Sequence, residues 1–105
     1  MPWIYLVLAG LLEVVWAFAM KKSQGFTVLW PSVVTLVAMA ASFGLLALAM
    51  RSLPLGTAYT IWTGIGALGA FVLGIVLLGE AASAGRLVAG GLILSGLVLM
   101  KLSTP

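Results

Sequence analysis

One carboxylate interrupts the apolar run Leu11-Leu12-Glu13-Val14-Val15-Trp16-Ala17-Phe18-Ala19-Met20, and Lys21 and Lys22 close it. An ionised carboxylate at the centre of a bilayer costs about 2.5–3.5 kcal/mol. A lone acid there has two roles open to it: a permanently protonated carboxyl hydrogen-bonded to a neighbour, or an acid that trades a proton for a cation. The surroundings favour exchange. Leu6, Gly10, Glu13 and Ala17 recur at helical spacing on one stripe, so Gly10 and Ala17 leave space on either side of the acid. Trp16, one turn on, supplies a π face and an N–H donor. Ser42 is the only hydroxyl between Thr35 and Ser52, and Tyr59, Trp62, Gly66 and Gly69 share a face further along. A carboxylate with aromatic rings around it holds organic cations through charge and cation–π attraction.

The rest of the inventory excludes much. The chain contains no Cys, His, Asp or Asn, and its second acid, Glu80, lies in a connection far from Glu13. Disulfides, Cys/His metal sites and nucleophile triads are therefore not expected, and neither is a cofactor or an enzymatic activity. The net charge of +3 comes from five cations at segment ends. That placement suits lipid headgroups rather than nucleic acid. Gly64-Ile65-Gly66-Ala67-Leu68-Gly69 matches a dinucleotide-binding fingerprint, but no strand precedes it and it lies within an apolar helix, so the match is by chance. Gly64 and Gly66 are instead candidates for a hinge, because each lowers helix propensity by about 1 kcal/mol relative to Ala, or equally for close helix packing.

The elements that must position these residues follow from length and apolarity. Of the 105 residues, 64% are hydrophobic and only 7% charged, against ~25% charged in soluble domains. A hydrocarbon core of ~30 Å takes about 20 apolar residues per helix. Four stretches qualify, at about 3–20, 28–50, 57–78 and 84–101, joined by short links rich in Gly, Ser or Pro. The expectation is an all-α membrane protein, one domain over 1–105 with four transmembrane helices and no extramembrane part. Orientation is weakly specified: Arg51 and Lys101 lie on one side, and Lys21, Lys22 and Arg86 on the other. The positive-inside rule needs a bias, and here there is almost none. Chains are thus expected to insert both ways up and pair antiparallel. Two inverted copies would place two Glu13 carboxyls at the midplane, as in carriers built from inverted repeats. Proton and cation would then compete for one site, which is the coupling of an antiporter.

Those residues also carry a resemblance. Glu13, Met20-Lys21-Lys22-Ser23-Gln24-Gly25-Phe26-Thr27, Trp30-Pro31-Ser32 and the block from Leu53 to Ala67 resemble the small multidrug resistance family along the whole chain. Trp16-Ala17, Ser42 and Trp62-Thr63-Gly64 are similar to its guanidinium-exporter branch. The resemblance implies a dual-topology antiparallel homodimer in the bacterial inner membrane that exchanges protons for guanidinium or small guanidinyl cations. Glu13 would be the shared proton and substrate ligand, and Gly10, Trp16, Ser42, Tyr59 and Trp62 would line the pocket. It also implies a dimer-packing pair seven residues apart, present here as Ala89 and Gly96, and Gly91 and Ser95 supply a second pair of small residues. A planar cation with a fork of N–H donors suits carboxylate and hydroxyl acceptors. The alternative is an exporter of quaternary ammonium and other hydrophobic cationic drugs. A non-transporting accessory subunit is disfavoured, since it gains nothing from a buried acid.

Overall fold

The computed structural model describes residues 2–104, which form four helices: α1 (Pro2–Lys22), α2 (Leu29–Ala49), α3 (Leu55–Leu78) and α4 (Ala84–Ser103). All four are long and apolar enough to cross a membrane. Their ends follow local chemistry. Pro2 opens α1 with its φ already helical, and Lys21 and Lys22 in the last turn oppose the negative end of the helix dipole. Pro54 precedes α3 with an extended backbone, so α3 starts at Leu55, slightly earlier than apolarity alone suggests. Gly79 ends that helix in the left-handed conformation (φ 71°), where a side chain would be strained. Ser83 caps α4, its hydroxyl accepting from the Arg86 N–H at 3.3 Å.

Cationic side chains reach out of the apolar zone along aromatic rings. Lys22 Nζ is 5.6 Å from the Phe18 centroid, Arg86 Cζ 5.3 Å from Phe71, and Lys101 Nζ 4.9 Å from Trp3. Each stem thus lies against apolar surface while its charge sits at a helix end.

Packing centres on α1, which lies against both α2 and α3, whereas α4 lies against α3 alone. The core is made of Leu6 and Ala9 of α1, Leu46 and Ala49 of α2, Leu53 of the α2–α3 link, and Ala58, Ile61 and Trp62 of α3. Glycines set how near α1 and α3 come. A Cβ on Gly10 would stand 2.6 Å from Ile65 Cγ2, and one on Gly69 would overlap Val14. Close approach through small residues replaces the hydrophobic drive that lipid removes. Helix α4 has no buried residue.

The α1–α2 link carries three consecutive residues in the left-handed region. Gln24, Gly25 and Phe26 all have positive φ (50°, 75° and 66°), and a non-glycine there costs about 1–2 kcal/mol. Ser23, wholly buried, offsets this: its hydroxyl donates to the Met20 carbonyl at 2.7 Å and accepts from the Phe26 N–H at 3.0 Å. Ser23→Ala leaves both groups without that partner and should destabilise the protein by about 1–3 kcal/mol. Gln24→Gly, which relieves a positive φ, should be neutral or stabilising. Thermal unfolding in detergent checks both; equal melting of wild type and Ser23→Ala would contradict the role given to Ser23.

Candidate functional site

The site assembles where α1, α2 and α3 meet. On α2, Thr35, Ala38, Ser42, Leu46 and Ala49 are the buried positions, a helical stripe turned toward the core. Ser42 is the polar member at its centre and is wholly buried. Its hydroxyl donates to the Ala9 carbonyl of α1 at 2.6 Å and accepts from Trp62 Nε1 of α3 at 3.0 Å. One oxygen therefore ties three helices together. A hydroxyl has one proton and two lone pairs, so Ser42 keeps one lone pair for a further donor.

The Trp62 indole, fixed by that bond, organises a row of rings. Tyr59 lies 5.5 Å from it at a tilt, Phe43 lies 5.7 Å away edge-on, and Trp16 is 6.3 Å beyond Phe43, again edge-on. These separations are within the 4.5–7 Å range of favourable aromatic pairs. The row runs Trp16–Phe43–Trp62–Tyr59; Trp62 is buried, Trp16 half-buried, and Phe43 and Tyr59 are exposed.

Glu13 lies against α3 at Gly66, where any Cβ would overlap its carboxyl group. Only glycine leaves that notch, so the position of the acid depends on a residue of another helix. Glu13 Oε1 and Trp16 Nε1 are the two side-chain polar atoms among the described residues that are buried without a hydrogen-bond partner. An acceptor and a donor, one turn apart on α1, are both held out of reach of the protein's own polar groups.

The residues expected at the site are placed as follows. Trp62 contacts both Ser42 and Tyr59, and Trp16 joins them through Phe43. Gly10 packs on Ile65. Gly66 touches Glu13 itself and Gly64 faces Leu97 of α4, while α3 continues unbroken through both. Ala89, Gly91, Ser95 and Gly96 are on α4, away from the carboxyl; Gly91 and Gly96 face open space, and the Ser95 hydroxyl donates to the Gly91 carbonyl at 2.8 Å. Gly96 does line a cavity of about 490 Å³ that Tyr59, Thr63 and Gly64 share. Phe43, the ring between the two tryptophans, was not expected. The available signal was its place beside the single mid-helix hydroxyl of α2. Among the described residues no group of three or more His, Cys, Asp or Glu side chains could hold a metal ion.

The chain is similar to known proteins along most of its length. The family model described as "Small Multidrug Resistance protein" matches residues 1–93. A protein named "Guanidinium exporter" from Escherichia coli (strain K12) is 60% identical over 104 residues, 99% of each chain. One of the same name from Citrobacter freundii is 58% identical over the same share. Another from Yersinia pseudotuberculosis serotype I (strain IP32953) is 67% identical over 87 residues, 83% of this chain and 84% of its own. With four membrane-length helices and a match that covers most of its length, the chain belongs to the small multidrug resistance family of multi-pass transporters in the bacterial inner membrane.

Proposed function

We propose that this transporter exports guanidinium and small guanidinyl compounds in exchange for protons, with both ligands competing for Glu13 in an antiparallel homodimer. The observation that carries this reading is the orphaned acceptor Glu13 Oε1, beside the Ser42-anchored row of rings. A bare charge there costs several kcal/mol, so Glu13 is occupied by either a proton or a cation. Guanidinium presents six N–H donors in a plane, one more than an arginine side chain. It can give two to the carboxylate, one to the free lone pair of Ser42, and its flat face to Trp16 or Trp62. The names of the relatives, guanidinium exporters at 58–67% identity, support the same substrate.

One subunit supplies half a pathway. Inverting a second copy brings two Glu13 side chains to the midplane, and the site opens to alternate sides as the two copies exchange conformations. Gly64 and Gly66 act as the hinge, letting α3 bend when Leu97 and Glu13 shift off them. Helix α4, which has no fully buried residue within the subunit, supplies the dimer seam. Ala89 and Gly96 lie on one side of it, and Gly91 and Ser95 roughly 100–160° around the helix at ~100° per residue. One helix–helix seam cannot use both pairs, so we assign it to Ala89 and Gly96, with Gly91 and Ser95 thinning the opposite side.

Glu13→Gln should abolish guanidinium-driven proton flux in proteoliposomes while the dimer stays folded, since an amide neither releases a proton nor neutralises a cation. Flux at wild-type level in this variant would overturn the mechanism.

Topology should respond to few charges. Lys21, Lys22 and Arg86 at one end barely outnumber Arg51 and Lys101 at the other. Reporter fusions at the C-terminus should read both compartments in the wild type, and one compartment after two or three lysines are added to one end. A one-sided wild-type signal would rule out the antiparallel pair.

Selectivity rests on acceptors that need an N–H donor. A tetraalkylammonium ion has none to offer, and each buried polar group it leaves unpaired costs about 1–3 kcal/mol, or roughly five- to 150-fold in selectivity. Trp16→Gly combined with Ser42→Ala should weaken guanidinium transport and admit bulkier cations. Efficient transport of large quaternary ammonium drugs by the unmodified protein would replace this reading with the drug-exporter one.

A further inference from the structure

A furrow with a lysine at its mouth runs along one side of the subunit. Helix α4 rests on α3 but not on α1, and α3 floors the gap between them. The outer part, about 300 Å³, lies among Trp3, Ile61, Val98 and Lys101. The inner part, about 580 Å³, continues past Leu11 and Gly69 to Leu73. Ile65, Leu94 and Leu97 line both, so the two are one furrow. From Ile61 to Leu73 its floor spans ~18 Å at 1.5 Å per residue. That is just over half of the ~30 Å hydrocarbon core, the depth that one acyl chain occupies.

Every lining side chain is apolar except the one at the mouth. There Lys101 Nζ lies 4.9 Å from the Trp3 ring centroid. Neither acidic side chain is near: Glu80 is in the α3–α4 link at the opposite end, 3.5 Å from Arg86, and Glu13 lies well inside α1. Arg51, after α2, adds a second cation at the Lys101 end. An apolar channel of acyl length that opens at a cation with no acidic side chain beside it among the described residues is complementary to one kind of molecule.

We propose that the furrow binds an anionic phospholipid, with one acyl chain along α3 and the headgroup phosphate on Lys101. A zwitterionic lipid carries its own cation beside the phosphate, so it gains less. A second copy of the chain is the other candidate occupant. The seam assigned above argues against it, because Leu94, Val98 and Lys101 lie roughly 120–180° around α4 from Ala89 at ~100° per residue. The proposal rests on that assignment only in leaving this flank to lipid.

The test uses the full-length protein in nanodiscs and lipids brominated on their acyl chains, with Trp3→Phe isolating the Trp3 signal among the four tryptophans. Brominated phosphatidylglycerol should quench Trp3 at lower mole fraction than brominated phosphatidylcholine. Lys101→Gln should cut that preference about fivefold, the factor supplied by one basic residue near an anionic surface. Equal quenching by the two lipids, or a preference that survives Lys101→Gln, overturns the site. The chain has no native cysteine, so Val98→Cys reports separately on a second copy: rapid cross-linking there overturns the lipid assignment. A retained lipid preference with no cross-link at Gly96→Cys supports the lipid site while rejecting the seam.

Discussion

A carboxyl group in hydrocarbon has to be accommodated before anything else in this molecule can work. Glu13 cannot reach either lysine at the end of α1 along its own helix, and no side chain of α2, α3 or α4 gives its Oε1 a hydrogen bond. What the fold provides is room: the bare backbone of Gly66, with Gly10 and Gly69 on either side of it letting α1 and α3 approach closely enough to share that notch. The cost in helix propensity is about 1 kcal/mol per glycine. In a membrane it is easily borne, because a helix whose backbone bonds are broken has no water to turn to.

Ser42 plays the complementary part. Its bond to the Ala9 carbonyl fixes α2 against α1, and its acceptance of the Trp62 N–H fixes α3 against both. The aromatic row then stands at a set distance from the acid. A mid-membrane indole would otherwise need a partner of its own, and here the partner is the group that also locks the helices. If substrate binds as proposed, a donor that takes Ser42's remaining lone pair would act directly on the joint between three helices and so give ligand binding a mechanical route to the packing of the bundle.

Much of this was legible from the residues in order, because membrane spans are written in length and apolarity. The four helices fall close to the stretches marked by composition. Their ends differ where capping, not apolarity, decides: α3 starts at Leu55 behind Pro54, and α4 continues to Ser103. Glu13 was conspicuous as one of only two acids. Phe43 was not, since aromatics are frequent in lipid-facing positions and only the register of α2 against α1 turns this ring between two tryptophans. The Ser42–Ala9 bond was hidden for the same reason. Its acceptor is a backbone carbonyl, identical at every position, and no periodicity records which one a hydroxyl will meet. Gly66 was seen as a break in helix propensity, while its use as a notch for the acid depended on a neighbour 53 positions away.

Exposed apolar surface, which in water would point to a partner, has little meaning here. Leu92, Leu99 and Leu102 of α4 are well exposed, yet lipid satisfies them as well as another helix would. The informative features of a membrane subunit are the opposite ones: polar atoms that neither lipid nor protein satisfies, and small residues that leave backbone open. The first are found on one turn of α1, at Glu13 and Trp16. The second are concentrated in α4, where Gly91 and Gly96 face nothing. On the proposed reading, a cation with N–H donors would answer the carboxylate and a partner helix the glycines, so that α1–α3 would hold the chemistry and α4 the assembly.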